Sequence, residues 1–253
     1  MPNTSYDLSL VIACYNEEAI LREHFRQVLQ VLEATRWTFE IIFVDDKSGD
    51  DTRQIIDKII ADHPQVPIRN VFHPCNVGRG RSVSDGIRIS RGDVTGYIDI
   101  DLEVQIQNIV PMMIAIQSGA DVVLAERIYK IQLFRIHRHF LSVGYRIVRN
   151  FLLRLPLGDT EAGYKFFRRD KILPVVDKCQ DPGWFWDTEI IVRAGFAGLS
   201  IQYIPCLFIR HPGKKSTVRI IPDTLKYVVN LIRFRRIIRK LQQSQPGNPE
   251  PNH

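Results

Sequence analysis

With 253 residues, 45% of them hydrophobic and 25% charged, the chain can bury the core of a soluble globular protein, which excludes a disordered one. Met1 to Asp7 has neither block of a signal peptide, no apolar run approaches the roughly 18 residues that cross a bilayer, and the cysteines fall singly; the expectation is a reduced, cytoplasmic protein that does not span a membrane. The net charge of +6 is uneven, with no acid between Arg127 and Asp159 and only Asp223 and Glu250 opposing the Lys and Arg beyond Glu189, which points to a polyanion: phosphate, nucleic acid or an acidic membrane face.

Leu8 to Ala13 is an apolar run of strand length, followed by Cys14-Tyr15-Asn16-Glu17-Glu18. A helical pattern then runs through Ile20, Leu21, Phe25, Val28, Leu29 and Leu32, with Asn16 as its expected N-cap. Phe39 to Val44 reads as a second buried strand closing on Asp45-Asp46-Lys47-Ser48-Gly49-Asp50-Asp51-Thr52, and a helix is expected over 52–61. A third strand, Ile68 to Phe72, leads into His73-Pro74-Cys75-Asn76-Val77-Gly78-Arg79-Gly80 and another helix. The fourth apolar run, Val94 to Ile98, ends abruptly in Asp99-Ile100-Asp101-Leu102-Glu103. Four strand and helix alternations predict an α/β fold, a mostly parallel central sheet with helices on both faces.

Side chains alternate across a strand, so Asp99 and Asp101 leave the end of the fourth run on the same side. Two carboxylates at that spacing suit a hard divalent cation, Mg²⁺ or Mn²⁺, whose other positions go to water and phosphate oxygens, and Glu103 is a candidate third ligand. Ligands of parallel sheets bind beyond the carboxyl ends of the strands, where three acidic clusters would converge: Tyr15 to Glu18, Asp45 to Thr52 and Asp99 to Glu103. Each alone has a simpler explanation, a helix cap or a solvated turn. Together they repel unless a cation or a donor-rich ligand lies between them, and a nucleotide bound through a metal fits. The Asn76 to Gly80 loop is neither a Walker loop nor a dinucleotide fingerprint, because Val83 stands where the third glycine would be.

Ala13 to Glu18, Val44 to Thr52, Asn76 to Gly80 and Asp99-Ile100-Asp101, in that order, resemble the motifs of family 2 glycosyltransferases with a GT-A fold. Asp159-Thr160-Glu161-Ala162-Gly163-Tyr164-Lys165-Phe166-Phe167-Arg168-Arg169 and Trp184-Phe185-Trp186-Asp187-Thr188-Glu189 resemble the branch that makes dolichyl- or polyprenyl-phosphate sugars. The resemblance implies that Ala13, Tyr15, Glu17 and Asp45 or Asp46 hold the nucleoside of a GDP- or UDP-linked sugar, with Gly78 and Arg79 around its other side. It places Asp99 and Asp101, with Glu103, on the metal, Arg127 and Arg138 on the acceptor phosphate, and Arg210 at the diphosphate. Lys47 departs from the family in replacing the usual glycine of the acidic turn, and His211 to Ser216 match only loosely.

Leaving-group charge on a nucleoside diphosphate is stabilised by a divalent Lewis acid, and arginines hold a phosphate acceptor through bidentate contacts. A phosphate monoester is already anionic near neutrality and needs little general base. A hydroxyl acceptor would need one, with Asp187 or Glu189 as the candidates. The expected function is therefore an inverting, metal-dependent transfer of a sugar to a polyprenyl or dolichyl phosphate, inversion following from a single displacement and from the resemblance. The alternatives are a soluble family member acting on a sugar or protein hydroxyl, and a nucleotide- or membrane-binding module without catalysis. Nucleic acid is not expected as a partner, since the sheet edge is acidic and the basic stretches are rich in aliphatics.

The glycosyltransferase domain is expected to span residues 1–220. In 221–242, Leu231, Phe234, Ile237, Ile238 and Leu241 share one side of a helix and Arg233, Arg235, Arg236, Arg239 and Lys240 the other. That layout fits an interfacial helix on the anionic, cytoplasmic membrane face, or a helix packed on the domain with a solvated basic side. Without a spanning helix of its own, the chain leaves room for a small integral membrane partner. Residues 243–253 read as a disordered tail.

Overall fold

The structure, a computed structural model, describes residues 6–128, 150, 157–209 and 229–238. The apolar runs form the strands β1 (Tyr6–Cys14), β2 (Phe39–Asp45), β3 (Ile68–Phe72) and β4 (Gly92–Asp99). Between them lie α1 (Leu21–Glu33), α2 (Thr52–Asp62) and α3 (Arg79–Ile89). A short 3-10 turn (Ile106–Asn108) and α4 (Ile109–Gln117) lead to β5 (Val122–Ile128). β6 (Tyr164–Arg168), α5 (Arg169–Val176), α6 (Trp186–Phe196) and β7 (Ile201–Leu207) complete the described elements.

The strands form a sheet of order β3-β2-β1-β4-β6-β5-β7. β3, β2, β1 and β4 are parallel, β5 and β7 are parallel, and β6 runs against both of its neighbours. Leu8, Leu10 and Ile12 on one face of β1 join α1, α2 and α4 in a core with Phe25, Ile56 and Met112. Val11 points to the opposite face, where α3 comes so close at Gly86 that a Cβ there would lie 2.4 Å from its Cγ1. Helices thus cover both faces, as the alternating pattern predicts.

Register aligns the strand ends that matter. Ala13 lies beside Asp99, Cys14 beside Asp45, and Asp45 beside Phe72, so the polar segments after β1 to β4 share one edge. The reversal of β6 pairs Tyr164 with Ile98 and delivers the preceding Asp159 to Gly163 to that same edge. Alternation of strands and helices gives no hint of that reversal.

Asn16 does not cap α1, which begins at Leu21. Its backbone is left-handed (φ 57°), and its Oδ1 accepts from the Gly49 N–H (2.8 Å) while its own N–H donates to Ser48 Oγ (2.9 Å), tying the two acidic loops together. Lys47, at the position where the family carries glycine, is also left-handed (φ 64°). A side chain with a Cβ pays about 1–2 kcal/mol there. Lys47→Gly should leave stability unchanged or raise it by up to about 1 kcal/mol after the unfolded-state entropy of glycine is counted. A denaturant midpoint showing a clear loss would contradict this reading of the turn.

The chain divides into two compact units, Met1–Tyr129 with Asp159–Pro212, and Lys130–Gly158 with Gly213–His253. In the second unit, residues 229–238 are helical, and Leu231, Phe234 and Ile238 are buried. Three residues of the apolar stripe that the sequence offers to a membrane are therefore buried and Ile237 is half-buried, while Val229 and Ile232, outside that stripe, are exposed. Among the described residues, no helix is long and apolar enough to cross a membrane.

Candidate active site

The carboxyl edge of the sheet carries a chain of charges built from β4, β6, α3 and α6. Lys165, fully buried on β6, donates from Nζ to Asp187 Oδ1 (2.5 Å), to Tyr97 Oη (2.7 Å) and to the Ala162 carbonyl (2.6 Å). The Tyr97 hydroxyl donates to the same Asp187 oxygen. Asp187 Oδ2 accepts from Arg79 Nη1 (2.6 Å), and the Nε and Nη2 of that guanidinium hold Asp99 Oδ1 (3.1 and 2.6 Å). Arg79 also lies over the rings of Tyr97 (5.4 Å) and Trp184 (5.0 Å). Lys165, Asp187, Arg79 and Asp99 thus alternate in sign from the core to the edge.

The electrostatics follow from that order. Burial alone would raise Asp187, but Arg79 and Lys165 outweigh it and hold the carboxyl below its usual range. Burial lowers Lys165, opposed by Asp187, and raises Tyr97, with the Asp187 anion adding to the shift. At the outer end, burial raises Asp99; Arg79 opposes this and the Asp101 carboxylate adds to it. The Asp99 side chain keeps 40% of its surface accessible, so it is the end of the chain that a ligand can meet.

β4 ends at Asp99 and Asp101 lies in the turn that follows, so strand alternation does not reach Asp101; among the described residues no three His, Cys, Asp or Glu side chains, Glu103 included, are gathered to hold a metal. The Glu103 backbone closes the turn instead, its N–H donating to Asp101 Oδ1 (3.3 Å) and its carbonyl accepting from Ile209 (2.8 Å). The donor set still fits a hard cation that takes its remaining ligands from water and phosphate. Gly163 lets the Asp99 carboxylate lie directly against the backbone: a Cβ there would lie 1.7 Å from Asp99 Oδ2 and 2.6 Å from Arg79 Nη2. Gly163→Ala should displace the Asp99 carboxylate and lower turnover by about 10- to 100-fold, as expected for about 1–3 kcal/mol of steric misplacement. A kcat within twofold of wild type would show that turnover does not depend on the seat Gly163 gives the Asp99 carboxylate.

The other expected site residues divide. Tyr15 is 46% exposed at the end of β1, next to Ala13 and Glu17, whose N–H donates to Thr52 Oγ1 (2.9 Å). Asp45 and Asp46 are buried and hydrogen-bonded within the protein. Asp45 accepts from Arg53 and from the Ser48 N–H (3.1 Å). Asp46 accepts from the Val77 and Gly78 N–H groups (2.7 and 2.9 Å), shaping the loop that opens α3. Arg127 is gripped bidentately by Asp159 (2.6 and 3.0 Å), leaving 22% of its side chain accessible. Glu189 is buried, accepting from the Gln180 and Asp181 N–H groups (3.0 and 2.8 Å) and from Arg193 (2.7 Å). Burial compels these pairings, since an unpartnered carboxylate inside a protein is costly. Arg138 and Arg210 lie outside the described residues.

Sequence reasoning missed Lys165 and Tyr97 as members of the site. The signal for Lys165 was a lone charge inside the apolar run Tyr164-Lys165-Phe166-Phe167, since lysine is almost never fully buried without a partner.

A mostly parallel sheet flanked by helices, with charged side chains gathered at its carboxyl edge, has the architecture of an α/β enzyme, a class whose ligands bind beyond the strand ends. The family described as Glycosyl transferase family 2 matches residues 9–173, and the chain belongs to that family of glycosyltransferases. Glycosyltransferase AglD of Haloferax volcanii is 28% identical over 204 residues, 79% of this chain; the match spans only 32% of that relative. The dolichyl-phosphate beta-glucosyltransferase of Saccharomyces cerevisiae is 27% identical over 254 residues, covering 90% of this chain and 74% of the relative. Among solved structures, glucosyl-3-phosphoglycerate synthase from Mycobacterium tuberculosis, in complex with Mn²⁺ and UDP-glucose, has the same fold with a TM-score of 0.66. It shares 16% identity and covers 91% of this chain and 79% of its own.

Proposed function

We propose that the protein moves a hexose from a nucleotide sugar to a polyprenyl or dolichyl phosphate, with inversion, in a divalent-metal-dependent displacement at the cytoplasmic face of a membrane. The observation that carries this reading is the outer end of the charge chain: Asp99, partly accessible, close enough to Asp101 to feel its charge and seated against the bare backbone of Gly163. Mg²⁺ or Mn²⁺ on those carboxylates supplies Lewis-acid stabilisation of the departing diphosphate. Arg79 keeps its charge between Asp99 and Asp187 and presents a second cation to the same oxygens. Tyr15 at the end of β1 offers its exposed ring to the nucleoside.

Asp187 is poorly suited to take a proton from a hydroxyl: it is buried, held below its usual pKa, and both its oxygens already accept from Arg79, Lys165 and Tyr97. An acceptor that arrives as an anion removes that need, which favours a lipid phosphate over a sugar or protein hydroxyl. The names of the dolichyl-phosphate glucosyltransferase relatives point to the same acceptor and make glucose the first sugar to test. Incubation with labelled UDP- and GDP-linked hexoses, with and without polyprenyl phosphate and divalent cation, followed by organic extraction, tests donor and acceptor together. Label should enter the organic phase only when lipid phosphate and cation are both present. Transfer to a water-soluble hydroxyl acceptor in place of the lipid would overturn the reading.

A further inference from the structure

The three aromatic residues that open α6 do not share one environment. Phe185 and Trp186 are buried core, whereas Trp184 is 50% exposed. Its loop is nonetheless fixed from several sides. Glu189 holds the Gln180 and Asp181 N–H groups, the Pro182 carbonyl accepts from Arg81 (3.0 Å), and Asp181 Oδ1 accepts from the Gly183 N–H (2.8 Å). Gly78 and Gly80 allow α3 to close against the loop, since a Cβ on either would lie 2.4 Å from Pro182 or Trp186. An indole this exposed, on a loop this firmly held, and stacked on Arg79 beside Asp99 is a preorganised aromatic surface at the mouth of the site.

We propose that Trp184 is the stacking platform for the hexose of the nucleotide-sugar donor, an inference that rests on the donor reading above. The ring of a hexose carries an apolar C–H face alongside its hydroxyls, and aromatic side chains combined with a few placed polar groups are what small-molecule sites use to hold such a ligand. Position argues for the sugar over the base. The side chain that stacks on the indole, Arg79, is bonded to Asp99 on β4 and Asp187 on α6, whereas the exposed aromatic suited to a nucleobase, Tyr15, follows β1. The diphosphate, expected at Asp99 and Asp101, would then lie between the two rings.

The test is calorimetric titration of the full chain, in Mn²⁺, with UDP-glucose and UDP and with GDP-mannose and GDP, using wild type, Trp184→Ala and Trp184→Phe. For the donor pair that wild type binds, Trp184→Ala should lose at least tenfold in affinity for the nucleotide sugar while the free diphosphate binds within twofold. Trp184→Phe should recover most of the loss. Unchanged nucleotide-sugar affinity in Trp184→Ala would overturn the proposal alone. An equal loss for sugar-linked and free nucleotide would overturn it too, because it would assign the indole to the base or to the placement of Arg79. Wild-type protein that binds neither nucleotide sugar would remove the donor reading and this proposal with it. Thermal midpoints of the variants within a few degrees of wild type would establish that the loop remains folded.

Discussion

Asp101→Asn should lower sugar transfer by at least about 100-fold, since the Lewis-acid contribution of a divalent ion on a departing diphosphate is worth several kcal/mol. The unfolding midpoint should stay close to that of wild type. Asp101 sits in a turn, where Oδ1 accepts from the Glu103 N–H, a bond that asparagine can keep. Transfer should fall equally in wild-type enzyme treated with excess chelator. Turnover that survives chelator, or a variant with near-normal kcat, would mean that the edge of β4 does not hold a metal.

Lys165→Met should be the most destabilising of the substitutions considered, because it strands Asp187 inside the protein with one of its cations removed. Breaking a buried ion pair from one side costs about 3–5 kcal/mol, which in a chain of this size corresponds to a drop in melting temperature of roughly 10 °C. Adding Asp187→Asn removes the stranded charge, so the double variant should lose less than the sum of the two single ones. Strict additivity in thermal unfolding would show that the pair does not interact. The pH dependence carries a sign as well. Asp187 is held below its ordinary pKa, so its contribution to stability is present at neutral pH and is lost as pH falls below the usual carboxylate range. Lys165→Met should diminish that acid-sensitive component, and an unchanged acid limb would count against the assignment.

The first four strands and the edge they share were legible because the physics is local. A run buried on both faces of a parallel sheet is continuously apolar, and it ends where the chain meets polar ligand or solvent. What escaped the sequence depends on pairings between distant positions. The reversed direction of β6 brings Gly163 against Asp99 and Lys165 against Asp187, and nothing in the order of apolar runs encodes that direction. Arg127, which the resemblance places at the acceptor phosphate, also pairs with Asp159 across 32 residues. Glu189, a candidate base only for a hydroxyl acceptor, holds the loop that carries Trp184. In each case the residue type announced a charge that needs a partner, and only the fold names the partner. The left-handed turns at Asn16 and Lys47 escaped for a different reason, since neither residue type compels that conformation.

In the proposed function, two aspartates one residue apart hold the ion that neutralises the departing nucleotide. Electron paramagnetic resonance of Mn²⁺ titrated into the protein with saturating UDP or GDP measures this directly, without turnover. The account predicts one tightly bound ion per chain in wild type, and loss of that ion in both Asp99→Asn and Asp101→Asn. Variants that bind Mn²⁺ as tightly as wild type would contradict it.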